Sequence, residues 1–457
     1  MRRPLLLLAL AATLPPTTQA QWQLQDSRTT ADLRGIDNVG KGVAWASGSN
    51  GTILRTEDAG LTWQLCAKPP GGEHLDFRAI QAFDNNTAII MSIGKGDQSR
   101  LYKTTDGCQT WELLFTNPDR DGFWDALKAH IALPDETQSC ASNTPVITGA
   151  ILGDPVVHNS NPLDRNTHPS FYLATFTLNS SCSPYKLNPS ATQIFSGPGE
   201  GAFAASNSVL YQLGPSVFWI ATDRGVIQYM PGIVCPIGVP LQRGKPSQGM
   251  FSFAIRPDSI EQPKPIKFGH NFHCLKADVV AVGGDYLEPS NSEKTAAFTA
   301  GSNKFRLAQT PPHGFRSAVA YDVKSNTWIT VGPNGTDIST DDGHNWRALH
   351  PNPALNEPPD ADQHWNALSL PFVVGPHGRI GTLRPEALAP KPAASPNHPL
   401  RAPTARPISA WGVAPGHNSP CAKHVPALPK AGAKPKAQRL NCLSSPRSPP
   451  TKGHPTN

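Results

Sequence analysis

The chain has 457 residues, of which 48 are proline and only 16% are charged. Because an interior proline removes a helix hydrogen bond and clashes with the preceding turn, this composition excludes a mainly helical protein. The net charge of +6 comes from the C-terminal 75 residues, with 11 Lys/Arg and one acid, whereas the rest of the chain has 29 basic and 33 acidic residues. A nucleic-acid-binding protein needs a basic face on a folded unit, so we expect no nucleic-acid partner.

The N-terminus has the layout of a cleaved secretory signal. Arg2-Arg3 precedes an apolar stretch at 5–14, and Thr18-Gln19-Ala20 ends in a small residue. We therefore predict a signal peptide at 1–20 and an exported protein, periplasmic or extracellular. The apolar stretch is too short to span a bilayer, so we expect no transmembrane segment in the mature chain.

Export permits disulfide bonds. Six cysteines precede residue 383, and six cysteines allow fifteen pairings among which spacing does not choose. No cysteine or histidine cluster has zinc spacing, so we expect no metal site. The six are Cys66, Cys108, Cys140, Cys182, Cys235 and Cys274.

Three segments share the form Ser/Thr-x-Asp-x-Gly-x-Thr-Trp, and each follows an apolar run with strand character. Cys108 replaces the glycine in the second copy, and Asn345 replaces the threonine in the third. The matching residues are Thr56, Asp58, Gly60, Thr62 and Trp63 in the first box, Thr104, Asp106, Thr110 and Trp111 in the second, and Ser339, Asp341, Gly343 and Trp346 in the third.

The chemistry of these boxes is structural. Asp and Ser/Thr side chains bind backbone amides in tight turns, glycine accepts a left-handed conformation, and tryptophan buries a large ring between neighbouring sheets. A calcium loop would place several oxygen ligands at alternating positions, whereas one aspartate recurs here.

A second marker precedes the boxes: an aromatic residue or leucine, often followed by arginine, that leads into a strand of small apolar residues. Arg34 and Arg78 are 44 residues apart, and the next step is 46. Seven such markers predict seven four-stranded antiparallel units in an all-β, seven-bladed β-propeller over 21–382, closed partly by N-terminal sequence. The markers begin at Leu33, Phe77, Phe123, Ala202, Met250, Phe315 and His364.

The box motif resembles the BNR, or Asp-box, repeats of bacterial sialidases and of the photosystem II stability/assembly factor family, with propellers of the WD40/YVTN-like type as more distant relatives. The alternation of markers and boxes looks closest to the assembly-factor type. This resemblance covers about residues 34–381, is strongest in units one, two, six and seven, and implies a seven-bladed propeller that binds proteins.

A sialidase-like glycoside hydrolase is the alternative function. Sialidases resemble one another in a Phe/Tyr-Arg-Ile-Pro segment, whereas this chain has Leu33-Arg34-Gly35-Ile36 before its first box. A glycosidase also needs paired acidic groups, and the sequence pairs none of its candidates, which turn geometry explains equally well. We therefore expect no catalytic residue and no cofactor. The candidates are Asp154, Glu200, Asp285 and Glu288.

Arg34, Arg78 and Arg316 recur where each inner strand should begin. They could be structural, packing their stems and pairing with a neighbouring blade. Alternatively, they could form a ring of guanidinium groups around one mouth of the central channel, suited to an acidic protein or peptide partner. Repeat residues explain most motifs, no catalytic constellation is evident, and the resemblance is to an assembly-factor family. We therefore expect a monomeric, non-enzymatic binding scaffold or assembly factor. Long insertions at about 135–199 and 232–276 would supply specificity. Their aromatic residues Phe171, Tyr172 and Tyr185 could be binding anchors or, equally, core residues of irregular blades.

The C-terminal segment, 383–457, has 16 prolines and Trp411 as its single aromatic residue. Such a composition cannot bury enough apolar surface to offset ordering entropy, so we predict a disordered, basic tail.

Overall fold

The computed structural model describes residues 21–132, 146–156, 169–178, 186–190, 193–214, 216–261 and 274–388. The predicted signal peptide and the tail from residue 389 lie outside these ranges. The described chain forms seven antiparallel sheets, and inner strands of successive sheets contact one another in a closed ring, in which blade 4 contacts blade 5 through its second strand. The predicted seven-bladed, all-β architecture is confirmed.

The first strand of the chain belongs to the last blade, and blades 1 to 3 then follow from the innermost strand outward. Blade 3 carries a fifth short strand that pairs with its third. The strands are β1 (Trp22–Gln25); β2 (Leu33–Gly40), β3 (Val43–Gly48), β4 (Ile53–Thr56) and β5 (Gln64–Leu65) in blade 1; β6 (Asp76–Ala82), β7 (Ala88–Ile93), β8 (Arg100–Thr104) and β9 (Glu112–Thr116) in blade 2; and β10 (Trp124–Ile131), β11 (Ile147–Val156), β12 (Ser170–Leu178), β13 (Lys186–Pro189) and β14 (Ile194–Phe195) in blade 3.

Blades 4 to 7 continue in the same order, and short 3-10 turns are the only helical segments in the described ranges. The strands are β15 (Leu210–Gly214), β16 (Val217–Ala221), β17 (Gly225–Met230) and β18 (Ile233–Gly238) in blade 4; β19 (Gln248–Ile255), β20 (Val279–Asp285), β21 (Ala296–Phe298) and β22 (Arg306–Leu307) in blade 5; β23 (Ala318–Asp322), β24 (Thr327–Gly332), β25 (Gly335–Ser339) and β26 (Arg347–Leu349) in blade 6; and β27 (Ala367–Ser369), β28 (Phe372–Val374) and β29 (Ile380–Leu383) in blade 7. The 3-10 turns are Gly96–Gln98, Pro257–Ser259, Pro353–Leu355 and Pro385–Leu388. None of them has the length or hydrophobicity that crossing a bilayer requires.

N-terminal sequence closes the ring. Strand β1 pairs with β29, with Trp22 opposite Leu383, and so supplies the outer strand of blade 7. The Glu357 carboxylate accepts the backbone N–H of Trp22 at 3.1 Å, and the indole N–H of Trp22 donates to Thr336 in blade 6. Closure places the innermost strand of each blade inside the ring, and the outer edges that remain are short strands such as Gln64–Leu65 and Arg306–Leu307. Leu383 therefore belongs to blade 7 and not to the predicted tail, and described structure continues to Leu388.

The three boxes form the same turn. In the first, the Thr56 hydroxyl donates to Asp58 and accepts the backbone N–H of Gly60, while Asp58 accepts both the N–H and the hydroxyl of Thr62. The corresponding groups make the same bonds in the second and third boxes, where Asn345 uses its amide in place of the threonine hydroxyl. These bonds lower the pKa of Asp58 to about 2, mainly through Thr62.

Two disulfides join neighbouring blades. Cys66, after the last strand of blade 1, is bonded to Cys108 in the box of blade 2, and Cys235 of blade 4 is bonded to Cys274 before β20. Cys108 has a left-handed backbone with φ +65°, as Gly60 has with φ +85°, so the departure from glycine in this box supplies a cross-link. Cys140 and Cys182 lie outside the described residues.

The described parts of the predicted insertions include blade strands. Phe171 and Tyr172 lie on β12 of blade 3, where Phe171 is buried and Tyr172 stacks on Trp124 with ring centroids 6.4 Å apart. They are core residues and not exposed anchors. Tyr185 lies outside the described residues.

Candidate functional site

A β-bulge opens the inner strand in four blades. In blade 1 the pairing register shifts between Leu33 and Gly35, which leaves Arg34 unpaired. Bulges commonly redirect a side chain at the rim of a sheet. The same shift leaves three further residues unpaired in blades 2, 3 and 5, namely Arg78, Asp125 and Phe251.

The bulge residues of blades 1, 2 and 5 border a cavity of about 430 Å³, hereafter the mouth. Side chains from six blades converge on it, which matches the convergence of groups that marks many binding sites. Its lining residues are Arg34, Arg78, Phe203, Ala204, Ala205, Phe251, Tyr286, Phe315, Ser317, Pro333, Trp365 and Asn366.

Arg34 and Arg78 are held alike on one side of the mouth. The Nε atom of each donates to an aspartate two residues earlier, Arg34 to Asp32 at 2.8 Å and Arg78 to Asp76 at 2.9 Å. Their side chains are 28% and 27% exposed. Asn366 donates to the other oxygen of Asp32 at 2.8 Å, which orients that carboxylate. The guanidinium groups are thus fixed by their Nε edges. The terminal Nη atoms of Arg34 remain for other contacts, whereas Nη1 of Arg78 already donates to the Ala204 carbonyl at 3.1 Å.

Arg316 does not share the mouth with them. Its backbone N–H binds Gly283 of the preceding blade, as the N–H of Leu33 binds Gly375, so Arg316 stands in the buried position of Leu33 and not in that of Arg34. The next residue, Ser317, lines the mouth instead. The expected ring of three arginines is therefore reduced to two.

Arg316 is fully buried and forms a polar cluster with blade 6. Its guanidinium donates to Asp337 and to the Asn334 side chain, and His313 Nδ1 lies 2.9 Å from Asp337. Burial raises the pKa of Asp337, but the hydrogen bond from His313 and the charge of Arg316 outweigh it and hold that pKa below its ordinary value. Asp337 in turn raises the pKa of His313. This arrangement is structural.

Aromatic rings form the opposite side of the mouth. Phe251 stacks on Phe203 with centroids 3.8 Å apart, and its ring meets the edge of Phe315 at 4.7 Å and of Tyr286 at 6.0 Å. Tyr286 is 47% exposed, whereas Phe251 is buried. The mouth therefore offers two guanidinium groups on one side and aromatic surface on the other.

Asp125 stands at the bulge of blade 3 yet is only 2% exposed. Burial raises its pKa well above the ordinary value, and the charge of Asp154 adds to this effect. One of its carboxylate oxygens is buried without a hydrogen-bond partner. Asp154 accepts the backbone N–H of Ala202 at 3.1 Å, and burial raises its pKa too. The pairing of Asp125 with Asp154 could not be predicted from the sequence, because the third marker places Trp124, not Asp125, in the arginine position.

The remaining glycosidase candidates are engaged in bonds that fix loops. Glu200 accepts the hydroxyl of Thr222 at 2.6 Å. Asp285 and Glu288 both face the ammonium group of Lys245, at 3.6 and 2.8 Å. Among the described residues, no three His, Cys, Asp or Glu side chains are grouped as a metal ion would need.

Three larger cavities have fewer converging groups. One of about 1150 Å³ lies beside the β23–β24 and β27–β28 hairpins, at the opposite ends of these inner strands from the mouth. Another of about 860 Å³ lies beside residues 198–203, between Asp154 and Lys245. A third, of about 580 Å³, lies between residues 24–29 and residues 376–380 of blade 7. None of the three draws on more than four blades, so the mouth is the stronger candidate site.

The sequence matches no protein-family model and no curated protein. Its fold is similar to solved propellers at low sequence identity. A structure described as "YCF48 bound to D1 peptide" matches with 16% identity and a TM-score of 0.47 over 81% of this chain and 99% of the other. YCF48 from Cyanidioschyzon merolae matches with 16% identity and 0.48 over 80% and 100%. The WD40 propeller domain of Doa1 matches with 8% identity and 0.47 over 81% and 99%. Because the sequence identities are 16% or less, these matches concern the fold and not the ligand.

Proposed function

We propose that this chain is an exported protein-binding scaffold, not an enzyme, and that its mouth holds an acidic segment of a protein partner. The observation that carries the proposal is the arrangement of Arg34 and Arg78, whose Nε edges are fixed by aspartates at the rim of one cavity. A planar guanidinium whose terminal nitrogens are available, as those of Arg34 are, matches a carboxylate in geometry and charge. The aromatic side of the mouth suits an apolar residue beside that carboxylate.

Two observations support export. Disulfides persist in oxidising compartments, and two of them join neighbouring blades. The blade structure also makes use of the chain from Gln21, directly after the proposed cleavage site, since Arg384 donates its backbone N–H to the Gln21 carbonyl. Fractionation of the native cell, with N-terminal sequencing of the purified chain, tests this. An intact Met1 in the cytoplasmic fraction would contradict it.

We also propose that the three boxes are BNR/Asp-box repeats of the assembly-factor type. Their shared hydrogen bonds through Asp58, Asp106 and Asp341 support this assignment. From the resemblance in the order of markers and boxes we also propose an assembly role for the chain.

The binding proposal is tested by fluorescence anisotropy with a short labelled peptide rich in glutamate and leucine. Arg34→Gln should weaken binding roughly tenfold to a hundredfold, the equivalent of losing a hydrogen bond to a charged group of about 1.5–3 kcal/mol. Added salt should also weaken binding, because screening acts on exposed charges. The same peptide with glutamine in place of glutamate should bind poorly.

Arg28 is the matched control. It is an exposed arginine between β1 and β2 that does not line the mouth. Arg28→Gln should leave the affinity within about twofold, as expected for an exposed charge of small energetic weight. Equal losses from Arg28→Gln and Arg34→Gln, or equal binding of the glutamine peptide, would contradict the proposal.

A further inference from the structure

Blade 4 differs from the others where its inner strand should begin. The backbone N–H of Asp223 binds the carbonyl of Gly201 at 2.9 Å, and the N–H of Ala221 binds that of Val209 at 2.7 Å. Between these anchor points the chain leaves the sheet for seven residues, 202–208, hereafter the blade-4 loop.

Blade 1 shows what the loop replaces. There Ser49 binds the carbonyl of Asp32, and Ser47 pairs with Gly35, so only two residues stand between the equivalent points. One of those two is Arg34, the bulge residue of the mouth. Blade 4 therefore has five additional residues at the position from which other blades direct a side chain into the mouth.

The middle of the blade-4 loop occupies groups that a ligand would use. The Nη1 atom of Arg78 donates to the Ala204 carbonyl at 3.1 Å. The Phe203 ring stacks on Phe251, with centroids 3.8 Å apart and planes at 17°. Both the cationic and the aromatic side of the mouth are thus partly taken by this chain's own residues.

The ends of the loop are fixed separately. Asp154 accepts the N–H of Ala202 at 3.1 Å, and the Asn207 side chain accepts the N–H of Leu127 at 2.8 Å. The Ser206 hydroxyl donates to a carbonyl of blade 6 at 3.1 Å. Because these anchors lie outside 203–205, the middle of the loop can leave the mouth while the ends stay in place.

Arg78 and Arg34 differ through this loop. Both bind a carboxylate through Nε at nearly equal distances, and both are about equally exposed. Of the two, only Arg78 also donates a hydrogen bond to a backbone carbonyl, that of Ala204. A carboxylate brings two oxygens and a negative charge to a guanidinium, whereas the Ala204 carbonyl brings one neutral oxygen, so an anionic ligand competes favourably for Arg78.

We propose that the blade-4 loop is an internal competitor of the mouth, which keeps Arg78 and Phe251 occupied until an acidic ligand displaces residues 203–205. This inference rests on the proposed function for its ligand. The occupied state of Arg78 can be measured without any ligand.

The first experiment measures phenylglyoxal modification of Arg34 and Arg78 in the full chain by peptide mass spectrometry. Arg34 is the internal reference. We expect Arg78 to react several-fold more slowly than Arg34 in the native protein. Phe203→Ala, which removes the stacking partner of Phe251, should bring Arg78 close to the rate of Arg34 and leave Arg34 unchanged. Equal rates in the native protein, or no change in the variant, would overturn the proposal.

Two further variants keep this test interpretable. Phe195→Ala removes a 57% exposed phenylalanine outside the loop and should not alter either rate. Ser206→Ala loosens the loop at a different contact and should accelerate Arg78 as well, so the test survives if Phe203→Ala fails to fold.

The second experiment titrates the labelled glutamate–leucine peptide into the same variants. If the blade-4 loop competes with the ligand, Phe203→Ala should bind the peptide about five- to tenfold more tightly. If Phe203 instead contacts the ligand, the variant should bind more weakly. If native protein binds but Phe203→Ala does not bind more tightly, the loop inference alone fails. If neither the native protein nor any variant binds the peptide, the proposed function fails, and so does the displacement of the blade-4 loop by an acidic ligand.

Discussion

Removal of Trp63 should weaken the closure of the propeller. This box tryptophan is 2% exposed, and its ring meets the edge of Phe372 in blade 7 at 5.7 Å. Its indole N–H donates at 3.0 Å to Gln25 of β1, the strand that completes blade 7. Truncating a buried tryptophan costs about 3–5 kcal/mol, and the lost hydrogen bond adds about 1 kcal/mol. Trp63→Ala should therefore lower the free energy of unfolding by about 4–6 kcal/mol.

Equilibrium unfolding in urea measures this loss, with circular dichroism and tryptophan fluorescence as independent probes of two-state behaviour. Leu61→Ala is the control, because Leu61 lies in the same turn and is 79% exposed. It should change stability by no more than about 0.5 kcal/mol. A Trp63→Ala protein within about 1 kcal/mol of native would refute the assignment of Trp63 to the closing contact.

Three further predictions concern stability. The raised pKa of Asp125 implies that the native protein favours the protonated carboxyl, so its stability falls as the pH rises above the ordinary pKa of 3.8. Asp125→Asn should therefore raise Tm at pH 8 and leave it unchanged near pH 3. A lower Tm of this variant at pH 8 would contradict the prediction. Asp58, with a pKa of about 2, contributes stability that is fully present above pH 3.8, its ordinary pKa, and is lost as the pH falls through about 2. Asp58→Asn should therefore make Tm less dependent on pH in the acid range. Replacing Cys66 and Cys108 by serine should cost about 2–4 kcal/mol in urea unfolding, and an unchanged midpoint would show that the cross-link adds nothing.

The fold could be predicted because its determinants are local. The turn hydrogen bonds of each box involve residues within four positions of one another, as between Asp58 and Thr62, and they recur wherever the letters recur. The marker spacing likewise follows from four strands and their turns per blade. Closure by β1 was foreseeable, since a ring needs its last blade completed.

The candidate site was less predictable because strand register decides it. Phe315-Arg316 begins its marker with the same two residues as Phe77-Arg78. The backbone hydrogen bond from Arg316 to Gly283 nevertheless places Arg316 one position earlier in the register, in the core. A shift of one residue reverses the face of every side chain in a strand. The fourth marker, which begins at Ala202, was expected to lead directly into an inner strand. It lies instead in the blade-4 loop, and the inner strand begins only at Leu210.

Hydrogen exchange of the full chain, with and without the glutamate–leucine peptide at saturation, tests the central claim most directly. We expect slower amide exchange at the starts of β2 and β6, around Arg34 and Arg78, together with faster exchange in residues 203–205 as the blade-4 loop is displaced. Slower exchange confined to the box turns at Asp58 and Asp106, or an unchanged mouth in the presence of bound peptide, would contradict the account.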